Sequence, residues 1–214
     1  MTQQPERDDN GRYHINGSAY PSVTTILGEE LDKPGLEAWK QRTDNWRQVR
    51  DRAALVGTLV HRRVLNPLAV RSLPVETVPA EFQTKDLTTD VEVAEALWED
   101  VREEIPIDDQ PYVEKTLWSS DAGGFAGTAD LITDGVVVDL KTSSGIRESH
   151  KLQAAAYASA ATDRGIDADR AAIVKLNYRE PSAKVTWISR DDLELLYEAF
   201  KGHVESFHAQ QRLG

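Results

Sequence analysis

The sequence predicts an α/β fold, with a central mixed β-sheet flanked by helices. Apolar and β-branched runs follow in the order helices, three strands, a helix, two strands and a helix, which fits this architecture. Between the second and third strands stands Asp134-Gly135, a dipeptide typical of a two-residue type I′ hairpin turn. The 214 residues suffice for one compact domain with a sizeable core. We divide it into an N-terminal hairpin and helical region, 1–66, and a core, 67–214.

The N-terminal region is predicted to hold one hairpin and two helices. Asn16-Gly17 indicates a tight hairpin turn. Pro34 suits the first turn of a short helix. A longer helix covers about 44–65, and Pro67 follows its end.

The core is predicted to follow a connecting loop rich in Pro and Thr. Its expected elements are a helix at about 91–104, strands near 112–119, 124–133 and 136–142, a helix at 149–162, strands near 171–178 and 184–188, and a last helix after 189. Ser149 is the expected N-cap of the helix that follows the hairpin. Ser189 and Asp192 form the expected capping box of the last helix, whose apolar residues recur at helical spacing.

Composition excludes several kinds of site. The chain has no cysteine, so disulfides, iron–sulfur clusters, thiolate-bound zinc and a cysteine nucleophile are excluded. No apolar run approaches the length that crosses a membrane, and the polar N-terminus shows no secretory signal. The sequence therefore predicts a cytoplasmic protein without a membrane partner.

Charge is distributed unevenly along the chain. The formal net charge of −11 disfavours a nucleic-acid partner if only the total is considered. Twelve acidic and two basic residues lie at 76–109, however, whereas seven basic and two acidic residues lie at 40–63. The basic segment includes Arg62 and Arg63 and could meet phosphates, although most charge runs are solvated helix faces.

The predicted hairpin places two acids opposite each other. Counting outward from its turn, Asp130 meets Asp139, with Cβ atoms about 5 Å apart. Lys141 follows Asp139 by two residues and so lies on the same face. Facing carboxylates repel unless a cation neutralises them, and Mg²⁺ prefers oxygen ligands. Two acids and a lysine around a metal ion suit phosphodiester hydrolysis.

The alternative is an ordinary hairpin whose acids flank a solvated turn. That alternative accounts for Asp134 but poorly for Asp139, which interrupts the apolar run of an expected buried strand. Lys141 is also the only one of the nine lysines with an acid two residues before it. We therefore favour a metal site over the solvated hairpin.

Four further side chains are candidates for this site. His61 shares a helix face with Gly57, a helix-interior glycine that indicates close approach of another element. A liganding histidine would favour Mn²⁺, although a lone histidine on a helix is more often structural. Gln153 and Tyr157 share one helix face, as they also would in a helix that simply packs on a sheet. Glu114 could support the hairpin lysine or a metal-bound water, or pair with the lysine beside it.

Together these motifs resemble the RecB-like branch of the PD-(D/E)XK nuclease superfamily, whose central sheet has αβββαβ order. In sequence they are a helical G-x-x-x-H ending at His61, Glu114, a G-x-x-D ending at Asp130, a D-x-K ending at Lys141 and a Q-x-x-x-Y ending at Tyr157. The early segment PSVTTIL also resembles viral exonucleases and the mitochondrial genome-maintenance exonuclease. Relatives in CRISPR adaptation often hold an iron–sulfur cluster on four cysteines, so the resemblance is to the cluster-free type.

The resemblance implies a role for each position. The expected ligands of Mg²⁺ or Mn²⁺ are His61, Asp130, Asp139 and the backbone carbonyl of Leu140. Lys141 would orient or activate the attacking water and offset charge in the transition state. The acids, with Glu114 at a commonly acidic position, complete the expected catalytic set. The residues expected to brace the site or contact DNA are Gln153, Tyr157, Arg62 and Arg63.

The expected function is a Mg²⁺- or Mn²⁺-dependent deoxyribonuclease. It would act on single- or double-stranded DNA ends in recombination, replication or repair, alongside partner proteins of those processes. Two alternatives stay open: a non-catalytic DNA- or partner-binding module that keeps the fold, and an endonuclease. RNA stays open as a substrate, because no feature reads a 2′-hydroxyl. If the chain is viral, its expected location is the host cytoplasm.

Overall fold

The computed structural model describes residues 5–31, 36–74 and 76–213. Its helices are α1 (Val23–Glu30), α2 (Leu36–Arg42), α3 (Trp46–Leu65), α4 (Lys85–Val101), α5 (Glu148–Thr162) and α6 (Arg190–Leu213). Its strands are β1 (Glu6–Arg7), β2 (Arg12–Ile15), β3 (Ser18–Pro21), β4 (Tyr112–Ser119), β5 (Phe125–Thr133), β6 (Val136–Lys141), β7 (Arg170–Asn177) and β8 (Ser182–Ile188). Pro34, the expected start of the second helix, lies outside the described residues. Within them, no helix is both long and apolar enough to cross a membrane.

Strands β4 to β8 form one mixed sheet flanked by helices, which confirms the predicted α/β class. They lie in sequence order; β6 and β7 are parallel, and the other neighbours are antiparallel. Counted from α4, the elements follow in αβββαβ order, and α5 makes the crossover that the parallel pair requires. Strands β1 to β3 form a separate small sheet, whose predicted hairpin turns at Asn16-Gly17 with positive φ at both residues.

Helices cover both faces of the central sheet. Helices α1, α5 and α6 close an apolar core on one face, and α3 and α4 close a second core on the other. In β6, Val137 joins the α5-side core, whereas Val138 and Leu140 join the α3-side core. Since side chains alternate along a strand, Asp139 and Lys141 belong to the α5 face.

The alternation of faces breaks in β5 at Asp130. Ala129 packs into the α5-side core and Leu131 into the α3-side core, although residues two apart in a regular strand share a face. The neighbouring strand is irregular at the facing position, where Glu114 has a left-handed φ of 45°. The pairs on either side keep one register. Because of this break, the Asp130 side chain leaves the face that strand alternation assigns to it and turns toward Leu140 and His61.

Two predicted helix starts are wrong. Helix α4 begins at Lys85 rather than near residue 91, because the Thr84 hydroxyl caps it by accepting the Leu87 amide at 3.2 Å. Helix α5 takes Arg147 as its N-cap, so Ser149, the expected cap, lies inside the first turn.

The last helix starts as predicted. The Ser189 hydroxyl donates to the Asp192 carboxylate at 2.7 Å and accepts the Asp192 amide at 3.2 Å. The apolar stripe of α6 is buried at Leu193, Phe200 and Val204. This stripe therefore serves the α5-side core.

Candidate active site

Asp139 is a buried carboxylate with one oxygen on a lysine. Its Oδ1 lies 2.6 Å from Lys141 Nζ, so the two side chains share a face, as predicted. Its Oδ2 is buried and has no hydrogen-bond partner among the described residues. Burial, together with repulsion from Asp130, outweighs the attraction of Lys141 and raises the pKa of Asp139 to about 6. A buried carboxylate left half-satisfied is costly and points to a role beyond folding.

Asp130 does not pair with Asp139 across the strands, and that prediction is wrong. The two strands follow the predicted register from the turn outward, but their pairing ends at Leu131–Val138. Beyond it, Asp130 Oδ2 accepts the Leu140 amide at 2.8 Å. The break in β5 explains the difference, because it turns Asp130 out of the regular alternation.

His61 reaches this centre from α3. Its Nε2 lies 3.0 Å from the Leu140 carbonyl oxygen, and its Nδ1 lies 3.3 Å from Asp130 Oδ1. Both ring nitrogens face acceptors, so a protonated ring can donate to both. Burial disfavours the charged forms of His61 and Asp130. The attraction between the two outweighs burial, so it raises the pKa of His61 and lowers the pKa of Asp130. One turn earlier, a Cβ on Gly57 would lie 3.4 Å from Thr142 Oγ1, so α3 passes the end of β6 at contact distance.

The donor atoms gathered here have the chemistry of a divalent-cation site. They are two carboxylates, an imidazole and a backbone carbonyl, which suit Mg²⁺ or Mn²⁺. No three His, Asp or Glu side chains of the described residues form a ready-made cation cluster, however. The histidine instead hydrogen-bonds the other donors, while Asp139 Oδ2 is left unsatisfied. The types of donor atom therefore fit a divalent cation. A bound ion would replace the hydrogen bonds that His61 makes to Leu140 and Asp130.

Gln153 and Tyr157 come together on α5, as their spacing predicts. Gln153 Nε2 donates to Tyr157 Oη at 3.0 Å. The ring of Tyr157 is buried, and burial raises the pKa of its phenol, which therefore stays neutral. The tyrosine lies against β5 at Gly127, where an added Cβ would come within 3.0 Å of Tyr157 Oη.

Three other predicted residues have different surroundings. The Glu114 side chain is exposed and makes no hydrogen bond or ion pair with the rest of the described chain. Arg62 pairs with Glu76 at 3.0 Å, and Arg63 pairs with Glu95 at 2.6 Å. The acidic segment thus neutralises part of the basic one, and the roles of these three residues stay predictions.

A row of lysines that sequence reasoning missed crosses the sheet beside Lys141. Lys141 faces Lys175 on β7, and Lys175 faces Lys184 on β8. Alternation puts all three on the α5 face, on strands about 4.8 Å apart. Within the described residues, neither Lys175 nor Lys184 has an ion-pair partner. Only strand pairing reveals this row, because its members are far apart in sequence.

His150 lies at the start of α5, near two cations of this site. Burial first, and then Lys141 and Arg147, lower the pKa of His150 to about 4. The imidazole of His150 therefore stays neutral near pH 7.

Comparison with known proteins establishes the fold and no more. No family model matches the chain, and no curated protein matches its sequence. The crystal structure of a candidate exonuclease from Eubacterium rectale superposes with a TM-score of 0.56 at 16% identity, covering 85% of this chain and 77% of that chain. The structure of SSO0001 gives a TM-score of 0.31 at 13% identity, over 68% of this chain and 85% of its own length, which is too low to argue from.

Proposed function

We propose that this chain is a Mg²⁺- or Mn²⁺-dependent deoxyribonuclease of the RecB-like PD-(D/E)XK type that hydrolyses phosphodiester bonds at DNA ends. The observation that carries the proposal is the buried Asp139, with Lys141 on one oxygen and, among the described residues, no partner on the other. The fold shared with a candidate exonuclease supports it. In the cell, such an enzyme would act in recombination, replication or repair with partner proteins, in the cytoplasm or in that of a viral host.

The energetics of burial argue against a purely structural Asp139. Its neighbours Val138 and Leu140 are fully buried and apolar, so an apolar side chain would suit the strand itself. Replacing buried ion pairs with packed apolar residues is often neutral or stabilising. A half-satisfied carboxylate at such a position is better explained by chemistry or by a cation.

Four groups would hold the cation: His61, Asp130, Asp139 and the Leu140 carbonyl. A bound divalent cation would polarise the phosphoryl group and lower the pKa of a water molecule. Lys141 would place its ammonium beside the negative charge that develops on the phosphate. Because Lys141 already lies 2.6 Å from a buried carboxylate, its direction is set before a substrate binds.

The surrounding residues would position the DNA. Gln153 holds the buried Tyr157 phenol, so this pair would brace the wall of the site beside β5. Lys175 and Lys184 would extend the positive surface along the backbone of the bound strand. Arg63 would have to exchange its carboxylate for a phosphate, which costs little because exposed ion pairs contribute little.

End-labelled DNA tests the proposal. Purified protein is incubated in Mg²⁺ or Mn²⁺ with linear single- and double-stranded DNA labelled at either end, and with closed circular DNA. Degradation of the linear forms alone, lost in Lys141→Ala, is the expected result and also gives the polarity. Cleaved circles would make the protein an endonuclease. Binding without any cleavage, across both metals and a range of salt, would make it a non-catalytic DNA-binding module.

A further inference from the structure

Three cations surround Trp46 at the start of α3. Arg47 Cζ lies 4.5 Å from the centroid of the Trp46 ring, Lys40 Nζ lies 5.2 Å from it and Arg50 Cζ lies 5.4 Å from it. Trp39 of α2 meets the same ring edge-on, with centroids 6.4 Å apart. Trp46 is half-buried, whereas Arg47 and Arg50 are exposed. We refer to these five residues as the Trp46 cluster.

The helix α3 has two charged sides with different partners. At about 100° per residue, the α3 members of the Trp46 cluster lie within about 60° of His61 around the helix. Arg52 and Arg63 lie on the opposite side, where they pair with acids of α4 at 2.7 and 2.6 Å. Within the cluster, Arg50 pairs with Asp51 at 2.7 Å while both side chains are about half exposed. Such a pair exchanges readily for a phosphate.

We propose that the Trp46 cluster binds single-stranded DNA and feeds it to the active site; this inference rests on the proposed nuclease function and names its substrate as a single strand. Aromatic rings that stack with bases, set among cations that hold phosphates, are the two parts of a single-strand binding surface. A duplex keeps its base faces inside its own stack and offers the cluster only phosphates. Stacking on tryptophan therefore selects the single strand.

The position of the cluster sets a length requirement. Trp46 and His61 are fifteen residues apart on one helix, which is about 22 Å at 1.5 Å per residue. A strand with bases stacked at about 3.4 Å would need roughly six or seven nucleotides to reach from one to the other. A stacked strand shorter than this reaches only one of the two sites.

Binding in EDTA, where no cleavage is expected, tests the cluster separately from the nuclease. The fluorescence anisotropy of labelled twelve-nucleotide oligo(dT) and of a duplex of equal length is measured with the wild type and with Trp46→Ala. We expect the variant to bind oligo(dT) at least about fivefold more weakly and the duplex nearly as the wild type does. Four-nucleotide oligo(dT), which in stacked form reaches only one of the two sites, should bind the wild type more weakly than the twelve-nucleotide strand does.

Two variants serve as controls. Trp187 on β8 is also exposed, with Arg170 5.8 Å from its ring, so Trp187→Ala should bind as the wild type does. Trp46→Phe keeps a stacking ring and should retain most of the affinity. If circular dichroism shows that Trp46→Ala does not fold, Arg47→Gln replaces it. This variant should reduce the slope of log affinity for oligo(dT) against log salt concentration by about one.

Two outcomes would overturn the inference. One is a Trp46→Ala protein that binds oligo(dT) no worse than Trp187→Ala does; the other is an equal loss for single strand and duplex. If the wild type cleaves DNA and either outcome is found, the proposed nuclease function is retained. Only the assignment of the Trp46 cluster as a single-strand binding surface is then wrong.

Discussion

Gly127 lies directly against the ring of Tyr157. A Cβ at position 127 would overlap Tyr157 Cε1 and sit 3.0 Å from Tyr157 Oη, so no side chain fits there unless the ring moves. The two residues come from different sequence motifs, one on β5 and the other on α5. Their contact accounts for the glycine physically, because the tyrosine occupies the space that a side chain would need.

Gly127→Ala is expected to destabilise the protein by about 1–3 kcal/mol, because the added methyl overpacks a buried ring. It should also reduce DNA cleavage, since Tyr157 must shift. Urea unfolding measures the loss. Gly202→Ala in α6 is the control. Apart from its chain neighbours and the helix backbone, no described atom lies within 4 Å of the added methyl, and alanine favours a helix by up to about 1 kcal/mol.

Tyr157→Ala should relieve the same clash. The double variant of Gly127 and Tyr157 should therefore lose less stability than the two single losses together, because the residues are in direct contact. Strictly additive losses would show that the contact is not what excludes a side chain at position 127.

Divalent metal should raise the thermal unfolding midpoint in a concentration-dependent way, because a ligand that binds only the native state stabilises it. The rise should disappear in Asp130→Asn and Asp139→Asn. Asp134→Asn is the matched control, since Asp134 sits in the turn of the same hairpin with φ 45°, where asparagine is tolerated. An undiminished midpoint rise in both site variants would place the metal elsewhere.

The stability of the metal-free protein should depend on pH through Asp139. Burial, with repulsion from Asp130, raises its pKa from 3.8 to about 6 in the folded protein. Between those values the native state binds more protons than the unfolded state, so the contribution of Asp139 to stability falls as pH rises from about 4 to about 6. Urea unfolding in EDTA across this pH range should show a smaller decline in the free energy of unfolding for Asp139→Asn than for the wild type. The same decline in both proteins would contradict the assignment.

The lysine row should contribute to DNA binding more than the paired arginines do. Lys175→Ala should weaken binding for all sequences and lower the salt slope by about one. Arg63→Ala should have a smaller effect, because Arg63 already pairs with Glu95 at 2.6 Å. Lys85→Ala, at the start of the acidic α4, is the control for loss of one positive charge. Equal effects of the Lys175 and Lys85 variants would show that the lysine row acts only through the net charge of the protein and not through contact with DNA.

Local signals predicted much of this molecule. The Asp134-Gly135 turn fixed the hairpin register correctly as far as Leu131–Val138, because a two-residue turn leaves few choices of pairing. The shared face of Lys141 and Asp139 follows from alternation along one strand. The capping box at Ser189 and the stripe of α6 were equally local.

Features set by distant contacts could not be predicted. The break at Asp130 depends on β4 and on cores formed by residues far away in sequence. Lys175 joins Lys141 only through a parallel pairing across the α5 crossover. By sequence the basic segment 40–63 could meet phosphates or form a solvated helix face, but packing of α3 on α4 pairs Arg52 with Asp90 at 2.7 Å.

The central claim is that the Asp139–Lys141 pair belongs to a metal-dependent nuclease centre. The most direct measurement is the single-turnover rate of cleavage of end-labelled linear DNA in Mn²⁺ by the wild type, Asp139→Asn and Asp134→Asn. We predict cleavage by the wild type and Asp134→Asn at similar rates, and a loss of about 100-fold or more in Asp139→Asn. Cleavage by Asp139→Asn at the wild-type rate would contradict the claim.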